Sequence, residues 1–312
     1  MYDLVAIGEY LVDFTPVKTE DNALPIYQMN PGGAPINCLT ACARLGGQVS
    51  MIGTVGNDLL GRFLVRKARE VGVDTSGIRF TGKAPTTMTF VQIEVGGERD
   101  FSFVRNPGAD TLLREEDVDC RLTREAKFFH FGSVSLTTDP TRSSTMYAVE
   151  KAKRAGAKIS FDPNFRDTIW ESWEQASRYI RPALELADIV KLSLEEFQLV
   201  TGLSEENVES GIKMLLSMGI EEVYVTAGKK GAYYGTAYDF GFEPAFSVNS
   251  VDTTGCGDAF LGAILYQNVY RPSISVGEKV RFANAVAAIC STRPGGMYAM
   301  PTQAEVYALI NL

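Results

Sequence analysis

Residues 252–260, Asp-Thr-Thr-Gly-Cys-Gly-Asp-Ala-Phe, combine glycines and acids at what the sequence predicts to be a joint between a strand and a helix. Residues 246–251 alternate and are rich in β-branched side chains, which predicts the strand, and the apolar residues after Asp258 predict a buried helix. The N–H groups in the first turn of a helix lack partners and lie at the positive end of its dipole. Gly255 and Gly257 let a ligand approach that backbone closely. The pattern indicates an anion site, and phosphate is the usual anion.

Asp258 would lie beside that anion, where its negative charge needs a chemical reason. One hypothesis is general-base catalysis, in which Asp258 takes the proton of an alcohol while the N–H groups hold a transferring phosphoryl group. The alternative is an ordinary aspartate at a helix start, which the dipole favours without any catalytic role. This stretch alone leaves both interpretations open.

The composition is typical of a globular protein of one or two domains. The chain has 312 residues, 45% of them hydrophobic and 22% charged, and a net charge of −8 from 30 basic and 38 acidic side chains. That charge argues against a nucleic-acid partner, although a nucleotide needs only a local site. The sequence has neither an apolar run of membrane length nor the pattern of a signal peptide, so we expect no membrane partner.

The five cysteines and the single histidine offer little chemistry. The cysteines are odd in number and scattered through apolar runs, which is typical of reduced thiols in a cytoplasmic protein. Cys38 and Cys42 lie four residues apart on a predicted helix, but no histidine or second cysteine pair supports a metal site, so we expect core packing. We expect His130 to be a strand residue with a satisfied hydrogen bond, because no nucleophile motif accompanies it.

The elements that must position these groups alternate between strands and helices. The predicted strands are residues 4–8, 49–52, 128–131, 158–161, 189–192, 222–226, 232–236 and 246–251. The predicted helices are residues 38–45, 62–71, 143–155, one from 194, and those near 259–269, 277–292 and 302–311. This order predicts a single α/β domain over residues 1–312, with a mostly parallel central sheet flanked by helices. Segments at about 10–30 and 86–105, the second a hairpin, interrupt the order and predict a small inserted β-sheet that acts as a lid.

Two further stretches place polar groups at the ends of predicted elements. Residues 31–37, Pro-Gly-Gly-Ala-Pro-Ile-Asn, open a helix, and Asn37 offers both a donor and an acceptor to hydroxyl groups. Arg166 follows a predicted strand, where ligands bind in open α/β sheets, and its guanidinium suits a phosphate or a carboxylate. The plain alternatives are a turn with a helix cap for the first stretch and a salt bridge beside a helix for Arg166.

Three motifs in their order resemble the PfkB, or ribokinase-like, carbohydrate kinases. They are the Gly-Gly-x-Pro-x-Asn helix start followed by Ala-Arg-Leu-Gly, the turn Gly-x-Val-Gly-x-Asp-x-x-Gly at 53–61, and residues 252–260. The likeness runs essentially from end to end, and within the family the chain most resembles bacterial fructokinases. The resemblance implies an ATP- and Mg²⁺-dependent kinase that phosphorylates the hydroxymethyl group of a small sugar, converting fructose to fructose 6-phosphate.

The resemblance also implies roles for the matching residues. The catalytic residues would be Asp258 as the base, Gly255, Cys256 and Gly257 as the anion hole, and Arg166 near sugar and phosphate. The sugar contacts would be Asp13, Gly32, Gly33 and Asn37, with Gln92, Phe103 and Arg105 from the lid. The nucleotide contacts would be Lys191, Ser193, Thr226, Gly228 and Gly231, with Asn284 on the adenine side.

Two metal sites and two departures follow from the same comparison of motifs. Glu196 matches the acid of the family's Asn-x-x-Glu motif, tied to Mg²⁺ through water, and Asp252 and Thr254 match a loop that often binds K⁺. Cys256 stands where the family usually has alanine, and we expect the backbone donors to be unaffected. Ser193 stands at the asparagine position of the motif, as fructokinase-like members often have, and lacks the amide.

Other interpretations compete with a fructokinase. A 2-keto-3-deoxygluconate kinase shares the Asp-Pro-Asn-x-Arg stretch, and Arg105 would serve its carboxylate substrate, whereas Phe101 and Phe103 suit a neutral sugar. A nicotinamide dehydrogenase would need Gly-x-Gly-x-x-Gly after the first strand, which this sequence lacks. The intact Asp258 and glycines argue against a catalytically silent sugar-binding protein. By analogy with some relatives, the lid strands predict a homodimer.

Overall fold

A computed structural model describes residues 1–17, 24, 26–93 and 99–311, with the backbone alone described at 92–93 and 99–101. The strands in these ranges are β1 Tyr2–Ile7, β2 Leu11–Val17, β3 Ile26–Gly32, β4 Val49–Gly56, β5 Val73–Thr81, β6 Met88–Ile93, β7 Arg99–Val104, β8 Ala126–Gly132, β9 Lys158–Asp162, β10 Ile189–Ser193, β11 Glu222–Thr226, β12 Gly231–Thr236 and β13 Phe240–Pro244. The α-helices are α1 Ala34–Arg44, α2 Leu59–Glu70, α3 Cys120–Arg124, α4 Thr141–Arg154, α5 Trp173–Leu186, α6 Leu194–Thr201, α7 Val208–Leu216, α8 Cys256–Tyr270, α9 Val276–Ser291 and α10 Gln303–Ile310.

The central sheet is mostly parallel, as the alternation of strands and helices predicted. Its strand order is β13-β12-β11-β10-β9-β8-β1-β4-β5, and the two pairs at the β13 edge, β11 with β12 and β12 with β13, are antiparallel. The chain proceeds from β1 to β4 and β5 on one side, and from β8 outward on the other. Such a change of direction opens a crevice at the carboxyl ends of the strands. Two buried apolar clusters, one on each face of the sheet, form the core.

A second, four-stranded sheet forms from the two segments that interrupt the alternation. Its strand order is β3-β2-β6-β7, with β2 parallel to β6 and the other two pairs antiparallel. Phe14 on β2 stacks on Phe90 of β6 with ring centroids 5.1 Å apart. We call this the small sheet. It joins the main body closely, because β3 ends at Gly32 and α1 begins at Ala34.

Helices α1 and α8 pack with their backbones almost in contact, so that both helix starts face one place. A methyl group on the Cα of Gly262 in α8 would lie 2.4 Å from the carbonyl oxygen of Cys38 and 2.8 Å from Cβ of Ala41 in α1. Residues 258–267 of α8 are all buried, as the apolar sequence predicted. Cys38 and Cys42 are buried in the same core as free thiols, which confirms the packing role expected for them.

His130 also confirms its prediction. It is buried in β8, and its Nδ1 lies 3.3 Å from the Ser160 hydroxyl oxygen on β9. Burial lowers its pKa to about 4, so the ring is neutral near pH 7.

None of the described helices has the length and apolar character needed to cross a bilayer.

The strand predicted for residues 246–251 is wrong. These residues follow β13 without regular structure, and most of them are exposed or half-buried. The backbone N–H groups of Val251 and Asp252 donate instead to the Ser291 carbonyl at the end of α9, at 2.7 and 3.0 Å. The alternation therefore reflects a half-exposed crossing from the sheet edge to α8. The first predicted helix also begins earlier than residue 38, at Ala34, because Pro35 suits a first helical turn.

We predict that Gly262→Ala lowers the free energy of unfolding by about 1–3 kcal/mol, because the added methyl group overpacks the α1–α8 contact. Helix propensity alone would raise stability by about 1 kcal/mol, so the sign separates the two effects. Urea denaturation measures the change in the free energy of unfolding. Gly82→Ala is the control, since nothing lies within 4 Å of a methyl group there. A Gly262→Ala protein as stable as the unmutated chain would contradict the packing argument.

Candidate active site

One cavity of about 1020 Å³ lies at the carboxyl ends of the central strands, beneath the small sheet. The small sheet contributes Asp13, Thr89 and Phe103 to its lining. The residues predicted from sequence that line it are Asp13, Gly33, Asn37, Phe103, Arg166, Lys191, Ser193, Glu196, Thr226, Gly228, Thr254, Gly255, Cys256, Gly257 and Asp258. The fold thus brings together groups separated by more than two hundred residues in the chain.

The start of α8 forms the middle of the cavity wall. Gly255 precedes the helix with φ 79°, a left-handed conformation that glycine adopts without strain. No described side chain caps this helix start. Residues 255–258 line the cavity, so the positive end of the helix dipole lies at the cavity wall. The Cys256 N–H also donates to the Thr253 carbonyl at 3.2 Å. This geometry suits an anion, as the sequence pattern indicated.

Asp258 lies in that first turn, and both of its carboxylate oxygens accept hydrogen bonds from amide side chains. Asn37 Nδ2 donates to one oxygen at 2.9 Å, and Asn164 Nδ2 donates to the other at 3.1 Å. Asn37 comes from α1 and Asn164 from the loop after β9. The carboxylate is therefore held from two sides in a fixed orientation.

Asn164 was not predicted as a site residue from the sequence. Arg166 of the same loop was predicted instead, whereas Asn164 is the residue that reaches Asp258. The backbone of Asn164 is left-handed, with φ 44°, a conformation that asparagine tolerates better than most residues. The Asp-Pro-Asn run directly after a buried strand was the available signal.

Burial makes Asp258 a stronger base than an exposed aspartate. Burial and the neighbouring Asp162 carboxylate raise the pKa of Asp258 to about 6, against the Asn37 hydrogen bond and the positive charges of Lys191 and Arg166. The group is thus still ionised at pH 7, yet close enough to neutrality to accept a proton readily.

A buried ion pair stands beside Asp258. Lys191 on β10 donates from Nζ to Asp162 Oδ2 at 2.9 Å, and both side chains are almost wholly buried. Burial alone would lower the pKa of Lys191, but the charges of Asp162, Glu196 and Asp258 hold it well above its ordinary value. The ammonium group is therefore a permanent positive charge in the cavity wall.

Ser193 and Glu196 cap the start of α6 in a reciprocal arrangement. The Ser193 hydroxyl accepts from the Glu196 N–H at 3.1 Å, and Glu196 Oε2 accepts from the Ser193 N–H at 2.8 Å. The other Glu196 oxygen accepts from the Phe165 N–H at 2.7 Å. Serine is a preferred residue at such a cap, which explains locally why a serine suits this position.

Under the small sheet, the cavity wall presents several oxygen acceptors. Glu9, which the sequence analysis did not select, accepts from the Ala34 N–H at 2.9 Å, and burial raises its pKa to about 7. Its second oxygen, Asn37 Oδ1 and Thr89 Oγ1 are buried without a partner among the described residues. Asp13 lies against Gly32, where a methyl group would come within 2.0 Å of its carboxylate.

One predicted lid residue, Arg105, does not lie where the sequence predicted it. Arg105 does not line the cavity: its guanidinium donates to Asp110 at 2.8 Å, to the Thr137 hydroxyl at 2.9 Å and to the Val134 carbonyl at 3.1 Å. The buried Asp110 carboxylate therefore holds the guanidinium away from the cavity. The Gln92 side chain lies outside the described residues.

The opposite end of the cavity lies between β11 and the start of α6. Thr226, Gly228 and the exposed Lys230 line it, and Lys230 pairs with Glu205 at 2.6 Å. Gly231 is absent from the lining. Asn284 is also absent from the lining. Its amide donates to the carbonyls of residues 243 and 244 at 2.9 and 3.2 Å and so ties α9 to β13.

The loop before α8 is tied to a second loop. One Asp252 oxygen accepts from the Thr254 N–H at 2.8 Å and the other from the Gly295 N–H at 3.2 Å. Asp252 and Gly32 line a small pocket of about 10 Å³ that shares Asn37 and Thr254 with the cavity. Within the described ranges, no three histidine, cysteine or acidic side chains form a ligand set for a metal.

The arrangement suits transfer of an anionic group to a hydroxyl. A helix start provides backbone donors, a held carboxylate with a pKa near 6 provides a base, and the polar wall under the small sheet provides hydroxyl acceptors.

Comparison with known proteins gives a consistent result. The family model "pfkB family carbohydrate kinase" matches residues 1–303. Fructokinase-1 of Zea mays is 42% identical over 316 residues, covering 98% of this chain and 97% of that protein. A fructokinase with bound ATP from Xylella fastidiosa superposes with a TM-score of 0.90 at 33% identity, covering 100% of this chain and 99% of that one. A fructokinase double mutant from Vibrio cholerae O395, in its fructose, ADP and potassium ion bound form, has a TM-score of 0.89 at 34% identity, covering 98% and 97%.

The match spans the whole described architecture, including the small sheet, and the relatives' names agree with the chemistry of the cavity. The chain belongs to the pfkB family of carbohydrate kinases.

Proposed function

We propose that this sugar kinase transfers the γ-phosphoryl group of ATP to the hydroxymethyl oxygen of fructose, giving fructose 6-phosphate and ADP. One observation carries the proposal: a buried Asp258, held by two amide side chains, lies in the first turn of α8, and residues 255–258 of that helix start line the same cavity. A base and an anion hole on adjacent residues are what phosphoryl transfer to an alcohol requires.

The sugar end of the cavity favours a neutral substrate. Asp13 and Glu9 line it, and the Asp13 carboxylate, with Glu9 where it is ionised, would repel a sugar acid. Arg105, the residue that would serve the carboxylate of 2-keto-3-deoxygluconate, is occupied by Asp110, and this supports fructose over that alternative. We propose Asp13, Asn37 and Phe103 as sugar contacts, with the backbone at Gly32 and Gly33.

In the proposed reaction, Asp258 accepts the proton of the sugar hydroxyl as its oxygen attacks the γ-phosphorus. Residues 255–257 hold the transferring group through their N–H groups, and Arg166 interacts with it from the β9 side. We propose that the small sheet acts as the lid of a single domain and excludes water that would otherwise hydrolyse ATP.

The nucleotide is proposed to lie toward β11, with its phosphates near Thr226 and Gly228. Ser193 and Lys191 line the path from there to Asp258. The contacts proposed for Gly231 and Asn284 require the adenine to reach beyond the present lining.

Glu196 fits the proposed Mg²⁺ through water, because it is a buried carboxylate on the cavity wall and no larger set of ligands lies around it in the described ranges. The ion would neutralise phosphate charge when bound. We propose a K⁺ site at the loop of Asp252 and Thr254, where it would stabilise the link between that loop and Gly295.

Two wider expectations accompany the proposal. Exposed apolar residues on the small sheet, Ile26 and Tyr27 among them, support a homodimer through that sheet. All five cysteines lie in the described ranges as free thiols, and reduced thiols together with ATP chemistry support a cytoplasmic location.

ADP release from ATP and Mg²⁺, measured in parallel with fructose and with 2-keto-3-deoxygluconate, tests the function. We expect turnover with fructose only. Turnover confined to the keto acid would contradict the sugar assignment and leave the Asp258 chemistry intact. Running the assay in K⁺ and in a large organic cation also tests the proposed K⁺ site, which equal rates would refute.

We predict that Asp258→Asn lowers kcat on the order of 10²–10⁴-fold, the usual effect of losing a general base. Asp167→Asn is the matched control, because Asp167 lines the same cavity but is exposed and has no proposed part in proton transfer. Near-normal turnover by the Asp258 variant would contradict the assignment of Asp258 as the general base.

The pH dependence of kcat/KM should show an acid limb near pH 6, where the pKa of Asp258 lies. The base must be deprotonated, so the rate is constant above the pKa and falls as the pH drops through it. Glu9, with a pKa of about 7, is the competing group in the cavity. We therefore expect the limb to persist in Glu9→Gln; its loss in that variant would assign the titration to Glu9.

A further inference from the structure

Lys191 occupies a place in the cavity that its ion pair with Asp162 does not explain by itself. The side chain is buried, yet it lines the cavity between Asp258 and Thr226. Four cationic side chains line this cavity in the described ranges, namely Arg166, Lys191, Lys229 and Lys230, and only Lys191 is buried. A buried charge acts in a medium of low dielectric, where its influence on a neighbouring charge is greatest.

The ammonium group lies directly against the anion hole. A methyl group on the Cα of Gly257 would lie 2.9 Å from Lys191 Nζ, so this position accepts only glycine without displacing the lysine. An ammonium group has three hydrogens, and Asp162 is its only hydrogen-bond acceptor among the described residues. The remaining donors are next to the backbone that would hold a phosphoryl group.

The carboxylates around Lys191 make a cation necessary at this wall if a phosphoryl group is to bind there. Lys191 is surrounded by the carboxylates of Asp162, Glu196 and Asp258, so the wall is negative before any phosphate arrives. Its main chain is fixed in the middle of the sheet, with β9 and β11 paired on either side and Val190 and Leu192 wholly buried. A charge fixed in this way needs no reorganisation during the reaction.

We propose that the Lys191 ammonium contacts the transferring phosphoryl group and stabilises the charge that develops on it, so that Lys191 is a catalytic residue rather than only the partner of Asp162. The inference rests on the proposed function, since it assumes phosphoryl transfer at this helix start. The sugar oxygen loses its proton to Asp258 and bonds to the γ-phosphorus, while the bond to the bridging oxygen breaks and its electron pair stays on ADP. Lys191 keeps its proton throughout.

The test compares Lys191→Met with the double variant Lys191→Met, Asp162→Asn. The single variant leaves a buried aspartate unpaired and is expected to lose stability. The double variant removes both charges and keeps similar volumes. If Lys191 contacts the phosphoryl group, both variants lose about 10²–10³-fold in kcat, the effect of removing one donor to developing charge, with KM for ATP changed much less. Lys158→Met, at a β9 lysine paired with Glu221 and absent from the cavity lining, is the control and keeps its rate.

Recovery of the rate in the double variant would overturn the proposal, because Lys191 would then only neutralise Asp162. A rise in KM for ATP at constant kcat would overturn it as well and limit Lys191 to binding the nucleotide. If the single variant does not fold, the double variant decides between these outcomes.

Failure of the proposed function is visible separately, as absence of fructose turnover by the unmutated protein. In that case ADP with aluminium fluoride, a mimic of the transferring group, replaces the rate measurement. Its stabilisation of the protein against heat, beyond that of ADP alone, should be lost in the double variant and retained in Lys158→Met. Equal stabilisation in both would overturn the role of Lys191.

Discussion

The site depends on the electrostatic attraction between the N-terminal end of α8 and an anion in the cavity in front of it. A helix start buried at the wall of a cavity leaves backbone donors that water would satisfy in the open and that an anion satisfies better in a closed site. The bare glycine backbone around Cys256 allows the approach. The packing of α1 against α8 then determines where the donors point, since these helices meet at a residue with no side chain.

The same wall carries more negative side chains than a phosphate site needs, and the structure stabilises each of them separately. Asp258 is held by two amides, Glu196 by two backbone N–H groups, and Asp162 by Lys191 and the N–H of Asn164. Buried carboxylates are tolerable when their lone pairs are used in this way. The result is a base with a pKa near 6 beside a cation that does not lose its proton.

The fold could be predicted in outline because its signals are local. Strands followed by glycine turns and helices gave the parallel sheet, and the hairpin without a helix indicated the small sheet. The error at residues 246–251 arose because alternation also occurs in a half-exposed crossing, and whether a neighbouring strand is available is a property of the tertiary structure. Asn164 and Glu9 were missed for a related reason, since only the folded chain shows that they reach Asp258 and Ala34.

Arg105 shows that a role inferred from a family motif can fail when the side chain has another partner in the folded chain. Its position in the sequence suggested a ligand contact, but a buried Asp110 five residues later provides a closer partner. By contrast, the start of α8 could be located from sequence, because a glycine-rich turn before an apolar run determines its own backbone geometry. Side-chain partners separated by long stretches of chain are beyond such local reasoning.

The small sheet is assembled from two pairs of strands that are far apart in the chain, β2 with β3 and β6 with β7. One deletion therefore cannot remove the small sheet. A chimaera that takes the small sheet from a relative must exchange both segments together. The first segment runs into α1 through Gly33 alone, so the length of that graft cannot vary without turning Asn37 away from Asp258. Strands β6 and β7 lead into none of the groups that hold the base, so that pair can be redesigned with fewer constraints than β2 and β3.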